Sequence, residues 1–262
     1  MQVKPKKSLG QNFLIDELVL EKIVNTVDIN NKEILEIGPG TGNLTNYILN
    51  KEPKILYVVE KDNNLSLILS DKFKDKIKVI NDDILKIDED KISQSKLIVF
   101  GNLPYNISTE ILVKWINNID KEFWFSNLVL MFQKEVADRI VAEFNTSNYG
   151  RLSILSNWKL NVKKIIDIKP KSFSPKPKID SSLLYFSPKT EFFKFKNFKN
   201  LEFVTRTFFS QRRKMIKKPF NQIFNNPKEI SKKLNIDLNL RPQNLSPEIY
   251  FQITNEYEKL RS

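Results

Sequence analysis

The sequence predicts an α/β fold, in which a parallel sheet is wound with helices and a small helical domain follows. Over the first 144 residues, apolar runs typical of buried strands alternate with segments of helical periodicity. Strand signals stop near residue 190, and short helical segments follow. At about 150 residues per domain, a chain of 262 residues suits one large domain or two smaller ones. We therefore predict two domains, at residues 1–190 and 191–262.

The elements of the first domain follow from their local patterns. Apolar runs predict strands at 33–38, 55–60, 77–82, 96–101 and 127–132. Helical periodicity between and after these runs predicts helices near 42–51, 62–73, 108–118 and 133–144. Ser108 is the expected N-cap of the third of these helices, because a serine hydroxyl can accept a hydrogen bond from a free amide in the first turn.

The pattern changes after the fifth strand. Two further strands are predicted at 160–168 and 180–188, and the short Pro- and Lys-rich connection between them allows antiparallel pairing at one edge of the sheet. Ser246 followed by Pro247 is typical of a helix start, because proline is favoured at the first helical position. Short helices are predicted near 198–210, 211–224, 227–235 and 246–260.

The chain contains no Cys and no His. These absences exclude disulfides, thiolate nucleophiles, Cys/His zinc sites and catalytic triads with an imidazole base. Any chemistry must therefore use carboxylates, Lys, Tyr, Ser/Thr, amides, backbone groups or a cofactor. No stretch approaches the ~18 apolar residues of a membrane span, and no apolar core of a secretory signal follows the basic N-terminus. We expect a cytoplasmic protein with no membrane partner and no metal.

The net charge of +12 is distributed unevenly. Residues 1–150 carry 19 basic and 22 acidic residues, whereas residues 151–262 carry 24 basic and 9 acidic residues. A compositional bias toward lysine would act on both halves of the chain. The one-sided positive charge therefore predicts a polyanionic partner, with nucleic acid as the first candidate. A merely solvated basic surface is the alternative.

Three of the six glycines lie within five residues, at Gly38, Gly40 and Gly42. They fall between the first predicted strand and its helix, where doubly wound folds bind nucleotides and glycine permits close approach to a ligand. The spacing matches neither the dinucleotide fingerprint nor a P-loop, and the loop carries no cation for a pyrophosphate. These features favour a nucleoside without phosphates, for which S-adenosylmethionine is the obvious candidate. A ligand-free tight turn and an NAD site are the alternatives.

Acidic residues end the next two predicted strands. Glu60 lies 22 positions after Gly38, where an acid can accept hydrogen bonds from ribose hydroxyls. Asp83 follows the third strand, where a residue of such a fold can meet the adenine ring of a cofactor. A solvated strand end is the alternative for Asp82 and Asp83.

The fourth predicted strand ends in Asn102-Leu103-Pro104-Tyr105, at the carboxyl edge of the sheet. The Asn102 side-chain oxygen and a backbone carbonyl at Leu103 or Pro104 are two acceptors, and Tyr105 is a flat stacking surface. Two acceptors off the plane of an exocyclic amine would pull its nitrogen toward tetrahedral geometry and aim its lone pair at an electrophilic methyl group. Such a transfer needs no histidine, because positioning and electrostatics supply most of the catalysis. A strand-ending turn is the alternative.

Taken in order, these motifs resemble those of the ribosomal RNA adenine dimethyltransferases, which use S-adenosylmethionine to methylate adenine N6. The match runs through most of the chain. Its segments are Ser8–Leu14, Glu36–Gly42, Val59-Glu60, Asp83, Phe100–Thr109, Gln133–Val136, Tyr149–Ser153, Phe173–Lys178 and Gln211–Lys214.

The resemblance implies a Rossmann-like class I S-adenosylmethionine-dependent methyltransferase core with a small C-terminal helical domain. It implies that Asn102 bridges cofactor and target, that Tyr105 stacks on the target base, and that Phe173 packs on the other side of that base. A core position under a surface loop is the alternative for Phe173. The cofactor contacts that the resemblance implies come from Gln11, Asn12, Leu14, Gly38, Gly40, Glu60, Asp83 and Asn102.

The family has two branches. One dimethylates two adjacent adenines near the 3′ end of small-subunit (16S) rRNA, and the other dimethylates one adenine of large-subunit rRNA and confers macrolide resistance. Leu103 and the Gln-Arg-Arg-Lys stretch at 211–214 resemble the first branch. We therefore expect a monomeric enzyme that acts on the small ribosomal subunit precursor and its rRNA during ribosome assembly. A catalytically silent rRNA-binding assembly factor and a DNA adenine methyltransferase are further alternatives.

A basic cluster is predicted to contact RNA phosphates, with a solvated helix face as the alternative. Pro219 departs from the pattern of the first branch and predicts a shortened helix there. Lys4, Lys6 and Lys7 form a second candidate phosphate contact, with a disordered tail as the alternative. The basic cluster consists of Arg212, Arg213, Lys214, Lys217 and Lys218.

Overall fold

The structure is a computed structural model that describes residues 5–6, 10–119 and 122–261. The chain divides into two compact units, each built from two stretches of sequence. The first unit is Met1–Ala137 with Val162–Pro188, and the second is Asp138–Asn161 with Lys189–Ser262. The segment before the last two strands of the sheet thus packs with the C-terminal helices. The division into two domains at residues 1–190 and 191–262 therefore stays a prediction.

The first unit contains the sheet. Its helices in chain order are α1 (Glu17–Val24), α2 (Asn43–Leu49), α3 (Asn63–Phe73) and α4 (Ser108–Asn118), and α5 (Lys134–Ile140) begins in it. Its strands are β1 (Phe13–Leu14), β2 (Glu33–Ile37), β3 (Ile55–Val59), β4 (Lys78–Ile80), β5 (Leu97–Asn102), β6 (Phe125–Gln133), β7 (Leu160–Ile168), β8 (Phe173–Ser174) and β9 (Ser181–Pro188).

The main sheet has seven strands in the order β4-β3-β2-β5-β6-β9-β7. The five strands from β4 to β6 are parallel, and β9 pairs antiparallel with β6. A separate antiparallel ribbon joins β1 to β8. The predicted α/β class, with a helix-wound parallel sheet, is confirmed, and the last two predicted strands are neighbours at one edge of the sheet. The β1–β8 ribbon was not anticipated, because a two-residue strand has no periodicity to detect.

Apart from the edge strand β4, the parallel strands are mostly buried on both faces, which explains their nearly continuous apolar sequences. In β2 all five residues are buried, and Ile34, Val58 and Phe100 on three adjacent strands have no exposed surface. Asp16 and Asp62 begin the flanking helices α1 and α3, and each accepts a hydrogen bond from a backbone amide of the first turn. These caps fix where α1 and α3 begin.

Three predicted features of the first unit require correction or shortening. Ser108 is the first residue of α4 rather than its N-cap, and its hydroxyl donates to the Tyr105 carbonyl at 3.3 Å. The helix predicted at 133–144 ends at Ile140. The third predicted strand shrinks to Lys78–Ile80, at the sheet edge, where pairing is available on one side.

The second unit is helical. Its helices are α6 (Arg151–Lys159), α7 (Phe198–Phe209), α8 (Lys217–Ile223), α9 (Pro227–Lys233) and α10 (Pro247–Lys259). Their core is aromatic, with Phe208 packing edge-on against both Phe220 and Tyr250. Ser246 caps α10 and Pro247 is its first residue, as predicted.

The prediction failed at two places in this unit. Helix α6 was not predicted, because it buries residues on most of its surface and so lacks the one-sided periodicity of an amphipathic helix. The helix predicted at 211–224 is wrong over residues 211–216, which form turns between α7 and α8. Pro219 lies in the first turn of α8, where a missing amide costs no hydrogen bond. Among the described residues, no helix combines the length and apolarity needed to cross a membrane.

Candidate active site

A cleft opens at the carboxyl ends of the parallel strands of the first unit. Ile37 of β2 is in register with both Val59 of β3 and Gly101 of β5, so the loops that follow these strands emerge side by side. The Gly38 amide donates to the Val59 carbonyl at 2.9 Å, and the Glu60 amide donates to the Ile80 carbonyl at 3.1 Å. The sheet register alone therefore brings the glycine loop, Glu60, Asp83 and Asn102 to one place.

The glycine loop lines this cleft, and its backbone has the left-handed conformation that other residues adopt only with strain. Gly38 and Gly40 have φ of +65° and +58°. A Cβ at Gly40 would lie 2.7 Å from Cδ1 of Phe13, so a side chain there would also displace that ring. The glycines are therefore needed both for the turn and for the close passage of the N-terminal residues.

Glu60 is a buried carboxylate with an orientation set by the backbone. Its Oε2 accepts from the Gly40 amide at 3.2 Å, and its Oε1 accepts from the Asp62 amide at 2.8 Å. Burial raises the pKa of Glu60 above its ordinary value, although these amide hydrogen bonds oppose the rise. Each oxygen keeps a lone pair, so the carboxyl group can accept further hydrogen bonds from a ligand in the cleft.

Asp83 lines the same cleft beside a cation. Its Oδ2 lies 2.7 Å from Nζ of Lys61, and its Oδ1 accepts from the Leu85 amide at 3.1 Å. The hydrogen bond from Lys61 lowers the pKa of Asp83, so Asp83 is ionised at neutral pH. A solvated strand end was the alternative for Asp82 and Asp83. It describes Asp82 better, because Asp82 is exposed whereas Asp83 is largely covered.

Glu36 is a further acid of the cleft, and its environment is different. It is 1% exposed, and its Oε2 accepts from the Thr45 hydroxyl at 2.6 Å. Burial raises the pKa of Glu36 to about 8, and the nearby Glu60 adds to the rise. Glu36 is therefore mainly protonated at neutral pH.

The N-terminal strap, residues 10–14, covers one side of the cleft. Leu14 is held at its carbonyl by the Asn43 amide group, at 2.7 Å. Gln11 is turned away from a purely ligand-facing role, because its Nε2 donates to Asp62 and its Oε1 accepts from the Lys6 amide. All three strap residues predicted to bind the cofactor, Gln11, Asn12 and Leu14, do line the cleft.

Asn102 stands at the end of β5, and the strap fixes how its amide is turned. Nδ2 of Asn102 donates to the Asn12 carbonyl at 2.9 Å, which leaves Oδ1 as an acceptor for the cleft. The Pro104 carbonyl accepts from the Ile107 amide at 3.1 Å, so the Leu103 carbonyl is the better candidate for the second acceptor. The Tyr105 hydroxyl is 2.5 Å from the Ser181 hydroxyl, which anchors the far end of the ring.

Phe173 is placed apart from the other predicted catalytic residues. It belongs to β8, pairs with Leu14 of the ribbon, and is 1% exposed within the hydrophobic core. The ring is therefore not accessible to a base in this conformation. Its predicted contact with a target base stays a prediction, and it requires the ring to leave the core.

The basic cluster lies in the second unit, on the α7–α8 turn and the start of α8. Four members are exposed, whereas Arg212 is half-buried and donates to the Ser147 carbonyl and to Oε1 of Gln243. Arg212 therefore holds the loop near Ser147 in place, in addition to any contact with phosphate. Of the N-terminal lysines, Lys4 and Lys7 lie outside the described residues, and Lys6 contacts Asp62.

The charge of the cleft restricts what it can bind. Among the described residues that line it, the acids are Glu36, Glu60, Asp82 and Asp83, and the one base is Lys61. Lys61 is already paired with Asp83. Such a lining repels phosphates and suits an uncharged or cationic nucleoside. Sequence analysis missed Lys61 and Asp62; the position of Asp62, two residues after Glu60 and before a helix, was the available signal.

The fold is that of a class I methyltransferase, with a cleft at the carboxyl ends of the parallel strands. A family model described as "Ribosomal RNA adenine dimethylase" matches residues 2–259. The chain belongs to this family, and it is an rRNA methyltransferase.

Individual relatives agree with the family. The chain is 72% identical over 261 residues to "Ribosomal RNA small subunit methyltransferase A" of Pelagibacter ubique (strain HTCC1062), and the match covers 100% of both chains. It is 45% identical to the protein of the same name from Ehrlichia chaffeensis, over 97% of each chain. A dimethyladenosine transferase from Plasmodium falciparum, a solved structure, has a TM-score of 0.82 at 26% identity and covers 94% of this chain and 98% of that one.

Proposed function

We propose that this protein uses S-adenosylmethionine to dimethylate N6 of two adjacent adenines near the 3′ end of small-subunit rRNA during ribosome assembly. The observation that carries the proposal is the Asn102 amide, which the Asn12 carbonyl orients so that its oxygen is left for the cleft. The names of the relatives favour the small subunit over the large-subunit branch.

The residues of the cleft fit the cofactor. The excess of carboxyl groups suits a sulfonium, and the glycine loop leaves room for a nucleoside without phosphates. Glu60 would hold the ribose hydroxyls, Asp83 would meet the adenine, and the strap would cover the cofactor from one side. Bound in this way, S-adenosylmethionine supplies a methyl group that carries the electrophilic character of the adjoining sulfonium.

The Asn102 side chain and the backbone after it would orient the adenine amine that accepts the methyl group. Oδ1 of Asn102 and the Leu103 carbonyl would accept the two N–H groups of the adenine amine and direct its lone pair toward the methyl group. Transfer would join that methyl group to the amine nitrogen, leave the sulfonium as a neutral thioether, and release the surplus proton to solvent. No histidine is required, because catalysis comes from positioning and from two oriented acceptors.

The target base must leave its stack, which costs a few kcal/mol. Stacking on Tyr105 would return roughly 1–3 kcal/mol, and the hydrogen bond between the Tyr105 and Ser181 hydroxyls keeps that ring oriented. We also propose Phe173 as the second stacking surface, on the condition that its ring leaves the core. If Phe173 contacts the base, then Phe173→Leu raises KM for rRNA; if it is a core residue, the substitution lowers Tm alone.

The basic cluster would hold the RNA backbone. The exposed Arg213, Lys214, Lys217 and Lys218 can each contact a phosphate, and such contacts fix position without reading sequence. The remaining sequence preference would then come from the shape of the rRNA around the target and from the adenine pocket.

The test is methyl transfer from labelled S-adenosylmethionine to immature small subunits, followed by mass-spectrometric mapping of dimethyladenosine. We expect label in two adjacent adenines of small-subunit rRNA, and labelling about 10²–10³-fold slower with Asn102→Ala. Label in large-subunit rRNA or in duplex DNA would overturn the substrate assignment. Binding of subunits without any transfer would identify a silent assembly factor instead.

A further inference from the structure

The buried carboxylate of Asp62 has no part in the chemistry proposed above, yet it accepts hydrogen bonds from residues on both sides of the cleft. Its side chain is 3% exposed. Oδ1 accepts from Nζ of Lys6 at 2.8 Å, and Oδ2 accepts from Nε2 of Gln11 at 3.2 Å. These donors lie more than fifty residues before Asp62 in the chain.

Asp62 is also joined to the ligand-facing wall. Its backbone amide donates to Oε1 of Glu60 at 2.8 Å, and its Oδ1 accepts from the Asn64 amide as the cap of α3. One residue thus connects Glu60, the start of a helix and the N-terminal strap. Burial raises the pKa of Asp62, but the hydrogen bonds from Lys6 and Gln11 outweigh this, and the net pKa is lowered. The group is therefore charged when it makes these contacts.

The strap is fixed at its other end by different contacts. Leu14 pairs with Phe173 in the ribbon and is held by Asn43, whereas the contacts at Asp62 hold the end near Gln11. Between the two ends lies the Asn12 carbonyl that orients Asn102. A strap held at one end would leave that carbonyl, and the cleft wall beside it, poorly placed.

We infer that Asp62 is a positioning residue that anchors the N-terminal strap through Lys6 and Gln11 and so strengthens binding of the cofactor. The inference rests on the proposed use of S-adenosylmethionine and adds an assignment to it. In this inference Gln11 holds the strap through its hydrogen bond to Asp62 and is not itself a direct ligand of the cofactor. Asp62 itself touches no reacting atom.

The experiment compares binding of S-adenosylmethionine, by calorimetry on the full chain, among Asp62→Asn, Lys6→Met and the double variant. We expect Asp62→Asn to weaken binding about tenfold, since charge-assisted hydrogen bonds are lost. Lys6→Met should weaken it about threefold, because this lysine is half-exposed. The double variant should bind no more weakly than Asp62→Asn, because both substitutions remove the same tie.

Two controls carry the same chemical changes at exposed positions of flanking helices. Asp71→Asn on α3 and Lys22→Met on α1 should leave the affinity unchanged. Two further readouts separate positioning from plain destabilisation. At saturating cofactor, which would hold the strap in place, Asp62→Asn should keep kcat within about twofold, whereas in the cofactor-free protein its amides at 10–14 should exchange hydrogen faster than those of the parent.

The outcomes are separable. If the parent protein does not bind S-adenosylmethionine, the proposed function fails and this inference fails with it. If the parent binds and Asp62→Asn binds equally well, or if the two substitutions are additive, the anchoring role is overturned while the proposed function stands. Should Asp62→Asn fail to fold, Lys6→Met alone decides, because its exposed side chain can be replaced without disturbing the core.

Discussion

Individual side chains in the cleft are constrained by hydrogen bonds that fix how their polar groups are oriented. Asn102 gives its Nδ2 group to the Asn12 carbonyl, so the amide cannot present two donors to the cleft. An acceptor at that position matches an amine that must lose its planarity before it attacks. The same logic applies to Glu60, because backbone amides orient both of its oxygens.

Replacement of Asn102 by alanine tests this role directly. In the proposed mechanism the change removes one of the two acceptors for the adenine amine, and kcat should fall about 10²–10³-fold, the cost of losing one such oriented group. Cofactor binding should stay measurable by calorimetry. The control is Asn46→Ala, at an exposed position of α2, which should keep full turnover. Full turnover by Asn102→Ala would reject the role.

Glu36 gives a prediction about stability and pH. Its pKa is raised to about 8 by burial, so folding retains a proton that the unfolded chain loses as the pH rises. The resulting loss in the free energy of unfolding is absent in acid and grows as the pH rises to about 8. Glu36→Gln should therefore stabilise the cofactor-free protein at pH 8 and change it little at pH 4, as measured by Tm.

Glu33, on the same strand, is the matched control for Glu36. Its pKa is lowered by hydrogen bonds from Ser93 and Lys54, so its ionised form stabilises the folded protein above its ordinary pKa. Glu33→Gln should destabilise the protein at pH 8, and this loss should shrink in acid, as the parent carboxylate is protonated. Equal pH profiles for the two variants would contradict the assigned environments.

At the scale of elements, the connection between α7 and α8 matters most. A continuous helix would place its basic residues on a regular stripe, whereas the observed turns at 211–216 display Arg213 and Lys214 on a short irregular surface. Arg212 ties this surface to the loop near Ser147. The element is therefore shaped to hold charge in place more than to bury apolar area.

A double substitution, Arg213→Ser with Lys214→Ser, tests this element. Affinity for small-subunit rRNA should fall, and the log–log slope against salt should decrease by about 1.4–1.8, since each neutralised phosphate contributes about 0.7–0.9. The kcat at saturating rRNA should be unchanged. The control is Lys51→Ser with Lys76→Ser, two exposed lysines of the first unit, for which the slope should not change. An unchanged slope in the test variant would remove this turn from the RNA interface.

For the whole molecule, charge is segregated along the sequence while the cleft itself is acidic. The excess of bases lies after residue 150, whereas the ligand-facing lining carries four carboxyl groups. This distribution fits the two ligands proposed above, a polyanion for the basic part and a cationic nucleoside for the cleft. Affinity for rRNA should fall steeply with salt, and affinity for S-adenosylmethionine should change little. A flat salt response of rRNA binding, measured by filter binding, would contradict the electrostatic part of the argument.

The α/β class, most strand positions and many of the residues that line the cleft were predictable from the sequence, because buried parallel strands are continuous apolar runs and polar residues at their ends must meet at one edge. The remaining features depend on the packed structure. The burial of Phe173, the link from Lys6 and Gln11 to Asp62, and the turn of the Asn102 amide toward Asn12 all join residues far apart in the chain. Local pattern carries no information on such contacts, since they depend on which distant groups the packed core brings within hydrogen-bonding distance.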